Sequence, residues 1–228
     1  MSTQISTTPL RNRTVGEIAA TMPGATAIFR SFKVDFCCHG EVALGEAARE
    51  RGIDVAELEK ALLALDVSEG TKPAPRETGE LIDHILTRYH ETLRRELPEL
   101  IAMADKVEAV HARHPQVPHG MADILRQMLG EVEVHMKKEE LILFPAMRKR
   151  AAGGLDTPIA QLRHEHVDHG AQLEQLEHMT GAFTLPEGAC RTWQALYVGS
   201  AKLADDLIQH IHLENNILFP RYEEASRS

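Results

Sequence analysis

Between residues 125 and 142 the apolar positions recur every three or four residues: Leu125, Met128, Val132 and Ile142. That period marks a helix with one buried face. Two polar residues, His135 and Glu139, interrupt the stripe from within. A second stripe, Leu203, Leu207 and Ile217, is interrupted in the same way by His210 and Glu214. Residues four apart share a helix face, so each pair aims an imidazole and a carboxylate at one point. Both segments run on, at identical offsets, into Ile-Leu-Phe-Pro, ending at Pro145 and Pro220. One His-x-x-x-Glu on a solvated face is ordinary. Two copies on buried stripes are not, because buried charge is costly unless paired, and metal coordination satisfies it. Two such helices facing one interior bring two His and two Glu together, which suits a pair of metals.

The same patterning predicts an all-α chain. Residues 1–13 are polar. Thr14 with Glu17 reads as a capping box opening a helix over 15–22, ended by Pro23-Gly24. Further helices are predicted over 25–33, 42–51 and, opened by Asp54 with Glu57, 54–65. Residues 66–78 are rich in Ser, Gly, Lys and Pro and read as a linker. The expected organisation is a small helical domain over 1–65, the linker, and a larger domain over 79–228. In the larger domain helices are predicted over 81–114, with Pro98 as a kink, and over 121–151, 158–179 and 189–224. Four long helices with short loops make an up-down-up-down four-helix bundle.

Composition narrows the function. Apolar residues are 43% and aromatics 4%, and helix formers dominate. A formal net charge of -9 argues against a nucleic-acid partner held through its phosphates. No run approaches the length of a membrane helix, and the first 15 residues hold no apolar signal stretch. Thirteen histidines fit a metal protein. Three cysteines, two of them adjacent, make no disulfide framework, and a cytoplasmic location is expected.

Two His and two Glu are few for a pair of iron or manganese ions, so the other two helices should add ligands. The first offers His84 and His90, the third His164, His166 and His169. Periodicity does not choose among them, and each taken alone is more simply a core or surface histidine. Imidazole with carboxylate suits Fe, Mn or Zn. Ferritin-type bundles use Glu-x-x-His instead, and that spacing occurs here at Glu108 and His111, beside a Pro-rich loop. A His-rich bundle with open positions points to a small diatomic ligand.

These residues resemble a known family. The paired segments resemble the ligand helices of the hemerythrin-like domain. The whole chain is similar to the iron-sulfur cluster repair di-iron proteins, the Repair of Iron Centres family. Asp35-Phe36-Cys37-Cys38 resembles that family's cysteine-bearing module. Leu81-Ile82-Asp83-His84 with Arg88-Tyr89-His90 resembles the start of its bundle, and Leu213-Glu214-Asn215-Asn216 lies in its second ligand helix. The resemblance implies a hemerythrin-like bundle preceded by a small helical domain. It implies two non-haem Fe ions, oxo- and carboxylate-bridged, held by His84, His135, Glu139, His166, His210 and Glu214, with both glutamates bridging. It also singles out Glu131 and Glu165 as acidic residues near the irons. The implied function is repair of iron-sulfur clusters damaged by nitric oxide or oxidative stress, by supplying iron. The alternative is a di-iron protein that binds, scavenges or reduces nitric oxide or O2. Damaged iron-sulfur proteins and nitric oxide are the implied partners, and a homodimer is left open.

The adjacent Cys37 and Cys38 close too strained a ring for a structural disulfide. They are read as redox-active thiols, metal ligands or acceptors of NO. The plain alternative is a pair of small buried hydrophobes. His39 departs from the family, where Gly commonly follows the two cysteines. Cys190, with no partner in sequence, is read as structural.

Overall fold

The computed structural model describes residues 8–65, 74–149 and 154–223. Regular structure among them is helical, with one isolated bridge between Thr14 and Ala43. The chain forms two compact units. One takes residues up to Ala74 together with Ile211–Pro220; the other takes Pro75–His210 and the residues from Arg221 on. Of the expected linker, 66–73 lie outside the described residues.

The first unit has four short helices, α1 (Val15–Thr21), α2 (Ala25–Ser31), α3 (Leu44–Glu50) and α4 (Val55–Leu63). Thr14 caps α1 by accepting from the Glu17 N–H at 3.2 Å, and Asp54 caps α4 through the Ala56 N–H at 2.9 Å. Each cap satisfies a donor that the first helical turn leaves unpaired. Ile18, Phe29, Phe36, Leu44 and Leu58 fill the core. Phe36 packs against the rings of both Phe29 and His212.

The second unit contains α5 (Thr78–Ile85), α6 (Glu91–Val110), α7 (Met121–Lys138), α8 (Phe144–Arg148), α9 (Asp156–Thr180) and all but the last two residues of α10 (Arg191–His212). These are the rods of the four-helix bundle, and α6 packs on α7 as α7 packs on α9. Leu81, Leu97, Leu125, Met128, Leu196 and Leu207 lie in its core. Helix α6 runs through Pro98, whose exposed position lets water meet the carbonyl its missing N–H abandons. Glu108, set aside above as half of a Glu-x-x-His, is a cap: its carboxylate accepts from Gly120 and Ala122 N–H groups at the start of α7, both at 2.9 Å. Among the described residues no helix is long and apolar enough to cross a membrane.

Three of the rods contain a turn one residue wider than α-helix: Leu86–His90, Glu139–Leu143 and Leu213–Leu218. The last of these leads from α10 to α11 (Pro220–Glu223). In the two repeated segments the wide turn stands in the same place. The Phe144 N–H bonds the Glu139 carbonyl, and the Phe219 N–H bonds the Glu214 carbonyl. The proline that follows cannot donate, and its ring would crowd the carbonyl four residues back, so the ladder widens before it. The wide turn also corrects the predicted stripe. Ile142, expected to be buried, is 62% exposed, and Leu143 takes the core position.

Gly16 lies where α1 meets the Gly40 backbone: a Cβ there would stand 2.6 Å from the Asn216 Oδ1 and 2.8 Å from the Gly40 carbonyl. Backbone cannot rotate aside as a side chain does. Gly16→Ala should therefore destabilise the protein by about 1–3 kcal/mol, read as a lower urea midpoint at unchanged slope. An unchanged midpoint would mean that this contact gives way freely.

Candidate metal centre

Two histidines from neighbouring rods meet at each end of a buried carboxylate. His90 closes the wide turn after α5, and His210 lies near the end of α10. Their Nε2 atoms are 3.1 Å apart. His135, in the last turn of α7, and His166, in α9, bring their Nε2 atoms to 3.0 Å. Glu139 opens the wide turn after α7 and stands between the pairs, its oxygens 3.4 Å from His90 Nε2 and 3.3 Å from His135 Nε2. Glu214 is one turn beyond His210 on the continuation of the same helix. Ligand atoms of His90, Glu139, His210 and Glu214 lie within 4.8 Å of one another, and so do those of His135, Glu139, His166 and Glu214. Both carboxylates thus belong to both sets. All six side chains are at most 2% exposed.

Glu139 is the clearest sign of a missing partner. Its residue is fully buried, and neither carboxylate oxygen makes a hydrogen bond. Burial pushes its pKa up, but His135 and His90 outweigh burial and hold it well below the usual carboxylate range. It is therefore a buried anion facing imidazole nitrogens, which a cation between them would satisfy. Four imidazoles and two shared carboxylates form a donor set that fits iron.

Outer contacts fix which nitrogen faces inward. The Nδ1 of His90 is 2.8 Å from Glu140, and Glu140 is held by Arg94 at 2.8 Å. The Nδ1 of His135 is 3.0 Å from Glu165, which also accepts from Gln161 and Lys138. A carboxylate can only accept, so Nδ1 carries the proton and Nε2 keeps its lone pair for a metal. Burial raises the pKa of Glu165, but bonds from Lys138, Gln161 and His135 bring it down to about 2. Tyr89 stacks on His210 with centroids 5.5 Å apart, walling that side.

Of the residues singled out by sequence, His135, Glu139, His166, His210 and Glu214 are brought together. His84 is not. It is half-buried outside both sets, its ring edge-on to Tyr89, and its position is filled by His90. The wide turn between them carries His90 onto the interior face, a rotation that a 3.6-residue period does not give. Glu165 reaches a ligand candidate directly. Glu131 is exposed and hydrogen-bonds Gln127 and Gln172, neither of them in the cluster. Sequence reasoning also missed Glu140 and Arg94; Glu140 directly follows Glu139, but nothing local says that it turns toward another rod. His169 lies against His135 with ring centroids 5.2 Å apart, and neither ring nitrogen is hydrogen-bonded. Burial first, then His135 and His166, push its pKa down to about 4, and Gln172 opposes this without completing a hydrogen bond. His164 is exposed.

The cysteine loop belongs to the first unit. Asp35 Oδ1 accepts from the N–H groups of Cys37 and Cys38 at 3.1 and 3.0 Å, and Oδ2 is 2.7 Å from His39 Nδ1. Asn215 and Asn216 donate to the Cys37 and Phe36 carbonyls, both at 2.9 Å. Neither cysteine is in a disulfide, and the sulfurs are 3.7 Å apart. Cys38, burial and Asp35 hold the Cys37 thiol well above its ordinary pKa. Cys190, read as structural, has its pKa lowered to about 7, first by His111 and then by N–H groups at the start of α10.

A helical bundle with this centre is a cation-binding bundle of the hemerythrin kind: residues 81–222 match the family described as Hemerythrin HHE cation binding domain. Residues 11–66 match a domain of unknown function, DUF542. The chain is 45% identical over 213 residues to the iron-sulfur cluster repair protein YtfE of Dickeya chrysanthemi, covering 92% of this chain and 96% of that one. It is 45% identical over 217 residues to the YtfE of Musicola paradisiaca and 44% identical over 214 to that of Escherichia coli O81, with the same coverage. The chain belongs to this family of iron-sulfur cluster repair proteins.

His90→Ala should lower bound iron at least tenfold at limiting iron, whereas His84→Ala should leave it within twofold of wild type, both read as iron per chain with circular dichroism as the folding control. Equal loss in both would place His84 in the centre. A second expectation concerns pH. His169 and His212 have pKa values of about 4, each because of burial, while an unfolded histidine lies near 6.5. Between those values the unfolded chain binds protons that the folded one refuses. The metal-free protein should therefore lose stability as pH falls from about 6.5 to about 4, by on the order of a few kcal/mol in urea titrations. A flat profile would mean that these rings reach water.

Proposed function

We propose that this protein repairs iron-sulfur clusters damaged by nitric oxide or oxidants, by holding two irons in its bundle and supplying iron from them. The observation that carries the reading is that Glu139 and Glu214 each belong to both histidine sets. In this reading His90 and His210 would hold one iron and His135 and His166 the other, with Glu139 and Glu214 within reach of both. Bound iron would supply redox chemistry and open positions for a small diatomic ligand. The chain itself does the rest. Glu140, fixed by Arg94, and Glu165, fixed by Lys138, keep two imidazoles in the tautomer that presents Nε2. The ring of Tyr89, the Phe144 ring stacked at 5.9 Å on His90, and the burial of all six ligands keep water from the centre. Glu139, with no hydrogen bond on either oxygen, is free to change how it binds, which suits a site that must let iron go. The relatives' name, iron-sulfur cluster repair protein, supports the same assignment. Damaged iron-sulfur proteins are then the clients, in the cytoplasm.

The same walled, histidine-rich centre favours a second reading, a protein that binds, scavenges or reduces nitric oxide or O2. Tight nitric oxide binding fits both readings and does not separate them. The separating assay mixes an NO-damaged [4Fe–4S] hydratase with the iron-loaded protein and a reductant, and follows recovered activity. The loaded protein should restore activity several-fold faster than iron-free protein or an equal amount of free ferrous iron. If free iron does as well, cluster repair by this chain fails and the second reading takes its place.

A further inference from the structure

We propose that Asp35, Cys37 and Cys38 form a second metal site, separate in its ligands from the histidine–glutamate centre, that takes one divalent d-block ion of borderline softness, ferrous iron or zinc. This gives a binding role to the domain of unknown function matched by residues 11–66, and it stands whether or not the repair reading holds.

The argument begins with the distance between the sulfurs. Two thiolates on one tetrahedral ion, with metal–sulfur bonds of about 2.3 Å, stand about 3.8 Å apart. The Cys37 and Cys38 sulfurs are 3.7 Å apart. A disulfide would need them at about 2.05 Å. The loop therefore holds the pair at the bite of a chelating ion and short of a bond. A third donor is in place: ligand atoms of Asp35, Cys37 and Cys38 all lie within 4.8 Å of one another.

The loop is also built so that this arrangement persists. Asp35 ties down the N–H groups of both cysteines, and the Asn215 and Asn216 amides hold the carbonyls of Cys37 and Phe36. Cys37 is 8% exposed and Cys38 is half-buried, so an ion can reach the pair from the Cys38 side. His39 holds the outer oxygen of Asp35 at 2.7 Å, the kind of contact by which histidine orients a ligating carboxylate. The local charge balance points the same way. One carboxylate and two thiols share a small volume, and His39, itself dependent on protonation, is the cation paired with the carboxylate. As the ion binds, each thiol releases its proton to solvent; no oxidant or reductant is needed. Thiolate with carboxylate selects Fe2+ or Zn2+ over Mg2+ or Ca2+.

The test uses the full chain, first loaded with iron, and cobalt(II) as the probe. Imidazole and carboxylate ligands give no thiolate-to-cobalt charge-transfer band in the near ultraviolet, so that band, read as a difference from the iron-loaded protein, reports thiolate on cobalt, and the Cys37/Cys38 double variant separates this site from Cys190. Wild type should take one cobalt per chain with the band. Cys37→Ser with Cys38→Ser should abolish the band, Asp35→Asn should weaken binding at least tenfold, and His39→Gly should weaken it a few-fold. Cobalt uptake without the band in wild type, or a band that survives in the double variant, overturns the proposal. A second measurement needs no variant. One equivalent of zinc should slow alkylation of both Cys37 and Cys38 at least tenfold, read peptide by peptide with Cys190 as the internal reference. Equal rates with and without zinc also overturn it.

Discussion

The centre depends on one uncomfortable fact, a carboxylate sealed from water with no hydrogen bond on either oxygen. Removing an ion from water costs several kcal/mol even after the protein relaxes, and the cost is recovered only through good partners. Glu139 faces the Nε2 atoms of His90 and His135 at 3.4 and 3.3 Å, outside hydrogen-bond geometry. Much of the surrounding architecture follows from that. Histidines come from four rods to surround the carboxylates. Glu140 and Glu165 turn the imidazoles so that their lone pairs point inward. Arg94 and Lys138 sit one layer further out, where water still screens them, and neutralise the second ring of acids. Charge alternates outward from the centre, and the layers become more exposed in that order.

Much of the fold could be read directly, because helix periodicity, caps and breakers are local signals. The Thr14 and Asp54 caps, the glycine and proline stops and the two interrupted stripes each depend on a few neighbouring residues. The choice between His84 and His90 was not local. It turns on an extra residue of backbone between them, and the wide turn that supplies it has no composition of its own. The same blindness put Ile142 inside and left Leu143 unremarked. In the repeated segments a signal was present: a proline six residues beyond the ligand glutamate obliges the preceding ladder to adjust. In the first rod no proline stands close by, and the turn at Leu86–His90 was invisible in the letters. The outer acids Glu140 and Glu165 were hidden for another reason. Their partners lie on other rods, and a charged residue beside a buried one reads as surface.

The repeated segments also differ in a telling way just after the glutamate. In the first, Glu140 reaches across to His90 and serves the centre. In the second, Asn215 and Asn216 occupy that stretch and donate to the backbone of the cysteine loop. A carboxylate there would meet carbonyl oxygens and repel them; an amide supplies the needed N–H. Gly16 and Gly40 leave room for Asn216 where a methyl group would collide. One backbone plan thus carries two sets of outer contacts, selected by acid against amide.

The wide turns speak to ancestry as well. Relative to a plain helix, such a turn is what a single inserted residue leaves behind. Deleting it would keep every ligand in the sequence while swinging the chain beyond it by roughly a quarter of a revolution, about 100° per residue. The Glu139 and Glu214 carbonyls each accept from the phenylalanine five residues on. If one half of the bundle arose by copying the other, the insertion came before the copying. The third such turn, at Leu86–His90, has no counterpart in α9, which is regular α-helix over Asp156–Thr180.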